Sequence, residues 1–160
     1  HYTMHKSMHN IFNRKIFDIT FNKDFYQVIT TCKNIYRRDQ QGTWISDEIV
    51  EAYTRLHEMG LARSVEVWQN KKLVGGLYGV DIGNGIFCGE SMFSKVSNAS
   101  KVAFYTLLQD LKEKDYLLLD CQVYNEHLES LGAYEIVRSE YMKYLLEGNI
   151  RLRIKKMKAS

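Results

Sequence analysis

The sequence predicts a mixed α/β (α+β) fold: an antiparallel meander, then a helix, a buried strand, a small helix and a final strand, all in one domain. Three observations carry this expectation. Three adjacent strand-like segments, "SVEVWQ", "KLVGGLYGVDI" and "GIFCGESMF", are separated only by the tight-turn sequences "NKK" and "GNG", as hairpins require. The segment 98–114 then sets Ala103, Leu107 and Leu111 on one helical stripe, and the apolar run "YLLLD" follows it as a buried strand. No proline, repeat or low-complexity linker interrupts the order, so 1–160 is expected to form a single domain, with 1–15 and 148–160 as flexible or peripheral ends.

Taken in order, "NRKIFDITFNKDF" alternates Ile16, Asp18 and Thr20 against Phe17, Ile19 and Phe21, which predicts a strand. "FYQVITTCKNIY" reads as a short helix. "TWISDEIVEAYTRLHEMG" predicts a helix with Ser46 as its N-cap, acids in its first turn, apolar Ile49, Tyr53 and Leu56, and Gly60 as its stop. After the meander and the 98–114 helix, "YLLLDCQV" is expected as a strand, "NEHLESLG" as a short helix ended by Gly132, and "AYEIVR" as a last strand. The tail "IRLRIKKMKAS" is basic and loosely amphipathic.

A chain of 160 residues can close one substantial core. With 22 basic against 19 acidic residues, its net charge of +3 permits an anionic partner such as nucleic acid without requiring one. Apolar runs of only a few residues and the lack of a basic segment ahead of one predict neither a membrane span nor an export signal, hence a cytoplasmic protein. Cys32, Cys88 and Cys121 are few, far apart and in apolar contexts, which predicts reduced core thiols. Strand alternation would point Asp120 and Gln122 to one face and Cys121 to the other, making Cys121 a core residue and no nucleophile. His1, His5 and His9 recur every four residues but lack a helical pattern or a partner carboxylate, so no metal site is expected. His57 and His127 read as helix-end or surface residues.

Two strand ends deliver polar groups: Glu90, between Gly89 and Ser91, and Asp120, in "LDCQVYNEHLESLGA". The element order is that of the acetyltransferase-like (GNAT) fold. The segments "GTWIS", "HEMGLARSVEVWQNKKLVGGLYGV", "FCGESMFSKVSNASK" and "LDCQVYNEHLESLGAYEI", in this order, closely resemble the bacterial leucyl/phenylalanyl-tRNA–protein transferases, from about Ser7 to about Leu145. The resemblance implies an aminoacyltransferase that moves Leu or Phe, and less readily Met, from aminoacyl-tRNA to the N-terminal Arg or Lys of proteins and so marks them for degradation. Leu-tRNA, Phe-tRNA and such proteins are the partners implied. No cofactor is implied, because the ester is already activated and needs only a neutral amine placed against its carbonyl.

The resemblance also implies roles. Asp120 and Gln122 would be catalytic, Gln122 accepting a hydrogen bond from the attacking amine through its side-chain oxygen and Asp120 holding that amide and drawing positive charge away. Glu90, with Asn125, would face the acceptor's cationic side chain. Leu77, Met92, Leu107, Leu111 and Leu119 would line a pocket for Leu or Phe that suits β-branched side chains poorly. Trp44 and Phe87 would stack on the terminal adenosine, and Lys6, Arg14, Lys15, Lys95 and Lys101 would meet tRNA phosphates. The alternatives are a strand-end and helix-cap role for the Asp120–Gln122 pair, a surface ion pair for Glu90, ordinary core for the pocket and aromatic residues, and a solvated face for the cations.

Family members usually carry a further N-terminal domain, rich in tryptophan and containing proline, ahead of the part matched here; the expectation is either a fragment or a shortened member, in both cases containing the catalytic half. Two other functions suit the same order of elements. A coenzyme A-dependent N-acetyltransferase would need a glycine-rich loop at a helix start to hold pyrophosphate, and the corresponding loop, "SKVSNAS", has no glycine. A shortened chain could instead only bind tRNA or protein N-termini.

Overall fold

The structure, a computed structural model, describes residue 11 and residues 16–35 and 43–158, with side chains up to 148. The expected meander is present. Strands β1 (Asp18–Phe21), β2 (Ala62–Gln69), β3 (Lys72–Asp81) and β4 (Ile86–Ser94) pair antiparallel in sequence order, and β5 (Leu118–Asp120) adds parallel to β4. The β2–β3 turn is tight because Asn70 and Lys71 both take left-handed backbone angles, the conformation whose twist matches the flanking strands. At the edge, β1 is tied to β2 through side chains as well as the ladder. Thr20 and Ser64 donate to the two oxygens of the fully buried Glu66 carboxylate, and the Trp68 indole donates to Thr20.

Helices cover both faces. Helix α1 (Phe25–Asn34) and helix α2 (Asp47–Glu58) pack on one face around Phe25, Ile29, Ile45, Tyr78 and Phe93. Ser46 caps α2 as expected, accepting from the Ile49 N–H, and Gly60 ends it at a φ of 76°. His57 is a packing residue, its ring stacked on Phe25 at 4.5 Å. Helix α3 (Ala99–Glu113), close to its expected bounds, crosses the other face and buries Ala103, Leu107 and Leu111 with Phe104 against Val65, Val67, Leu77 and Phe87. It can seat so near β3 because a Cβ on Gly75 would overlap Ala99.

The C-terminal end of α3 is clamped to the sheet. Arg63 of β2 reaches Asp110 at 2.6 Å, Lys114 bonds the same carboxylate, and the Tyr116 hydroxyl bonds Asp81 of β3. This fixes the chain just before β5.

Beyond β5 the Asn125 side chain caps the short helix α4 (Glu126–Ser130) by accepting from the Leu128 N–H, and Gly132 stops it. The strand expected over "AYEIVR" is not formed. Residues 133–137 take no regular structure, and helix α5 runs Arg138–Lys158. Tyr134 and Val137 are exposed there: the sheet offers this segment no partner, and β propensity without a ladder does not make a strand. Among the described residues no helix is long and apolar enough to cross a membrane.

The clamp yields a pH-dependent prediction. Burial works to raise the Asp110 pKa, but the bonds and charges of Lys114 and Arg63 outweigh it, so the folded value lies below the ordinary 3.8. Its contribution is therefore full above that ordinary value and is lost as pH falls through the lower folded one. Asp110→Asn should cost about 2 kcal/mol at pH 7, and urea midpoints measured against pH should show the gap to wild type closing in acid.

Candidate active site

The strand pair β4–β5 is in register over Ile86↔Leu118, Phe87↔Leu119 and Cys88↔Asp120 and then stops, although β4 runs on to Ser94. A wedge therefore opens beside Gly89, at the carboxyl end of β5 and midway along β4. At the same level β4 carries a bulge: Gly79 pairs with Gly89 and Tyr78 with Ser91, so Glu90 is the extra residue, unpaired in the ladder. A bulge re-aims its side chain, and the Glu90 carboxylate lies near Tyr53 of α2 and Cys88. The bulge needs glycine opposite, since a Cβ on Gly79 would overlap the Cys88 carbonyl and the Phe87 ring.

Asp120 and Gln122 come together as expected, but by another geometry. Strand alternation ends at Asp120, because Gln122 takes a left-handed φ of 64°. The Gln122 backbone N–H donates to Asp120 Oδ1 at 2.8 Å, while its side-chain Nε2 donates to the Gly89 carbonyl at 3.2 Å. Asp120 thus holds the main chain of Gln122, and β4 holds its amide. With Nε2 engaged, the side-chain oxygen is the amide's acceptor, and no hydrogen bond to it is seen among the described residues. Cys121 is turned into the core packing on α3, as expected.

Each carboxylate has a tyrosine beside it that sequence reasoning did not assign to the site. Tyr53 of α2 interacts with Glu90, and burial followed by that carboxylate pushes its phenol up to about 12. Tyr141 of α5 interacts with Asp120, and burial followed by that carboxylate raises its pKa as well. Both phenols stay protonated and can donate to the charged acids. Tyr53 reads in sequence only as an apolar position of an amphipathic helix, and Tyr141 lies where no helix was expected.

The other expected site residues are dispersed. Leu77, Leu107 and Leu111 are closed into the core beneath α3, and Met92 and Leu119 border it half-buried, so the five do gather on one face. Phe87 is corrected: it is fully buried, with Arg63 lying 5.9 Å from its ring centre, and offers no face for a base. Trp44 is 47% exposed and keeps a free face. The Asn125 oxygen is occupied in capping α4. Lys95 is exposed and Lys101 half-exposed, while Lys6, Arg14 and Lys15 lie outside the described residues. In the loop before α3 the first free amides are already partnered: Ala99 N–H donates to the Val96 carbonyl and Ser100 N–H to the Ser94 hydroxyl.

The sheet and its helices define a protein of the GNAT acetyltransferase fold. Solved structures agree: an aminoglycoside acetyltransferase from an uncultured soil metagenomic sample superposes with a TM-score of 0.59 over 78% of this chain and 93% of its own, at 14% identity. An aminoglycoside N-acetyltransferase in complex with coenzyme A does so at 0.53 over 76% and 90%, at 12% identity. Residues 1–146 match the family described as leucyl/phenylalanyl-tRNA protein transferase, and the chain belongs to that family. Proteins so named are 62% identical in Flavobacterium johnsoniae, over 88% of this chain and 66% of the relative, and 47% identical in Thermodesulfovibrio yellowstonii, over 92% and 60%. The chain thus spans about two thirds of the length of the curated relatives it matches.

The thiols bordering the wedge give a prediction. Burial, then the Asp120, Glu90 and Asp81 carboxylates, push Cys88 up to about 11, and burial with Asp120 does the same to Cys121. At pH 8 roughly one such thiol in a thousand is ionised, against roughly a quarter for an ordinary cysteine. Native alkylation by iodoacetamide, followed by mass spectrometry, should be slower at both than in the urea-unfolded chain by about a hundredfold.

Proposed function

We propose that this chain is the catalytic part of an aminoacyltransferase that moves Leu or Phe, and less readily Met, from aminoacyl-tRNA to the N-terminal Arg or Lys of proteins in the cytoplasm, generating a degradation signal. The observation that carries the reading is the doubly anchored Gln122 where the β4–β5 pairing stops, its main chain held by Asp120 and its side-chain amide by the Gly89 carbonyl, next to Glu90 in β4. A neutral α-amine entering there donates one N–H to that oxygen and turns its lone pair to the ester carbonyl. The C–N bond forms, the C–O bond to the ribose breaks, and the proton lost by the amine ends on the ribose hydroxyl. Asp120 keeps negative potential beside the nitrogen while it carries positive charge. Glu90, lifted out of the ladder, faces the acceptor's cationic side chain.

Acetyl transfer from coenzyme A shares the fold but fits the α3 entrance poorly, because Val96 and Ser94 already take the amides that a pyrophosphate would need.

Two experiments test the reading with Leu-tRNA and short peptides. Asp120→Ala and Gln122→Ala should each lower kcat roughly a hundredfold while leaving the affinity for charged tRNA within about twofold. Equal losses in both would make the pair structural. Glu90→Gln should keep the fold and reduce the preference for Arg- over Gln-starting peptides about tenfold or more; unchanged selectivity in an active variant would remove Glu90 from the acceptor site.

A further inference from the structure

Helix α5 follows an irregular segment, yet one stripe of it is seated on the sheet. Gly148 lies against the turn between β3 and β4 so closely that a Cβ would overlap the Asn84 carbonyl. Seven residues earlier, two helical turns back on the same face, Tyr141 reaches Asp120, with Tyr144 and Leu145 half-buried between them. The spans agree. Tyr141 to Gly148 covers about 10 Å of helix, and Asn84 to Cys88, the residue paired with Asp120, runs from the turn into β4 and spans at most about 13 Å. The α5 stripe therefore runs back along β4 from the wedge to the turn, and the residue it delivers to the wedge is a phenol.

We infer that Tyr141 is a positioning residue for the transfer reaction: its hydroxyl donates to the Asp120 carboxylate and, with the Gln122 N–H on the same group, fixes that carboxylate and hence the Gln122 oxygen that receives the amine. The inference rests on the function proposed above. One carboxylate is then addressed from two elements, the turn after β5 and helix α5. Free rotation of Asp120 would release the Gln122 main chain from its left-handed conformation and swing the acceptor oxygen out of line. The raised pKa of the phenol keeps it a donor through the neutral range.

The test combines a titration with kinetics on the full chain. In protein labelled with 13C at the tyrosine ring, with Tyr141→Phe identifying the resonance, the Tyr141 phenol should ionise at lower pH in Asp120→Asn than in wild type. For Leu transfer to an Arg-starting peptide, Tyr141→Phe should lower kcat about tenfold with KM for peptide and tRNA within about twofold, at an unchanged urea midpoint. A phenol whose titration ignores Asp120→Asn overturns the contact, and wild-type kcat in Tyr141→Phe overturns the positioning role. A wild-type protein that transfers no amino acid removes the proposed function and the positioning role with it, whereas a decoupled phenol in an active protein removes the positioning role alone.

Discussion

The extra residue in β4 sets the conditions for everything at the wedge. Inserting Glu90 between the Gly79↔Gly89 and Tyr78↔Ser91 pairs kinks β4 where its parallel pairing with β5 ends. Had the ladder continued in register, the Gly89 carbonyl would have found a backbone donor on an extended β5. Instead it is left at the edge of the opening and accepts from the Gln122 side chain. The same inserted residue takes one carboxylate out of the pairing, so the free position of Glu90 and the anchoring of the Gln122 amide share one structural origin. The glycines are part of the arrangement: Gly79 leaves room for the Cys88 carbonyl and the Phe87 ring, which no side chain there could do.

The electrostatics of the wedge differ from those of the chain as a whole. A protein of net charge +3 places Glu90, Asp120 and Asp81 close enough to Cys88 to raise its thiol, and no lysine or arginine is among the causes of that shift. The acids are accompanied by neutral phenols, which stabilise charge by hydrogen bonding without cancelling it. A site built this way keeps its negative potential for a cation that arrives with the ligand. Two cations, Arg63 and Lys114, are held by Asp110 near the carboxyl end of α3, where they fix the fold. That division of charge suits a cationic amine acceptor better than an anionic pyrophosphate.

Elements whose boundaries are written in local chemistry were legible in the sequence. Asn70–Lys71 and Gly83–Gly85 announce turns, Ser46 and Gly60 bracket α2, and the stripe of Ala103, Leu107 and Leu111 gives α3 its buried face. The strand expected at "AYEIVR" failed because pairing partners, a tertiary property, are invisible to propensity, and α5 was missed because its buried stripe, Tyr141, Tyr144, Leu145 and Gly148, covers only two turns of a long, largely polar helix. At the candidate site, Glu90, Asp120 and Gln122 were singled out in the sequence, chiefly through the motifs around them. Their geometry was not, because period-two alternation assumes a strand, and Gln122 has left it. Phe87 was misjudged for a related reason: aromatic chemistry suited a base, and only the packing beneath Gly79 shows the ring enclosed.

The backbone of Gln122 supplies the last step. A non-glycine residue in the left-handed region costs on the order of 1 kcal/mol, and glutamine has no short side chain to offset this locally as asparagine does. The conformation persists because two bonds from different elements hold it: Asp120 accepts the main-chain N–H and Gly89 the side-chain amide. Glycine would adopt the angle freely but would bring no acceptor, and a strand conformation would relieve the strain while pointing the amide along the β5 edge. Strain at this one residue is thus the means by which a short strand ending in Asp120 holds a neutral amide fixed at its end, the feature on which the proposed transfer reaction depends. The groups that hold that strained residue, Asp120 and Gly89, and those that hold Asp120 in turn, are therefore as much part of the site as the oxygen itself.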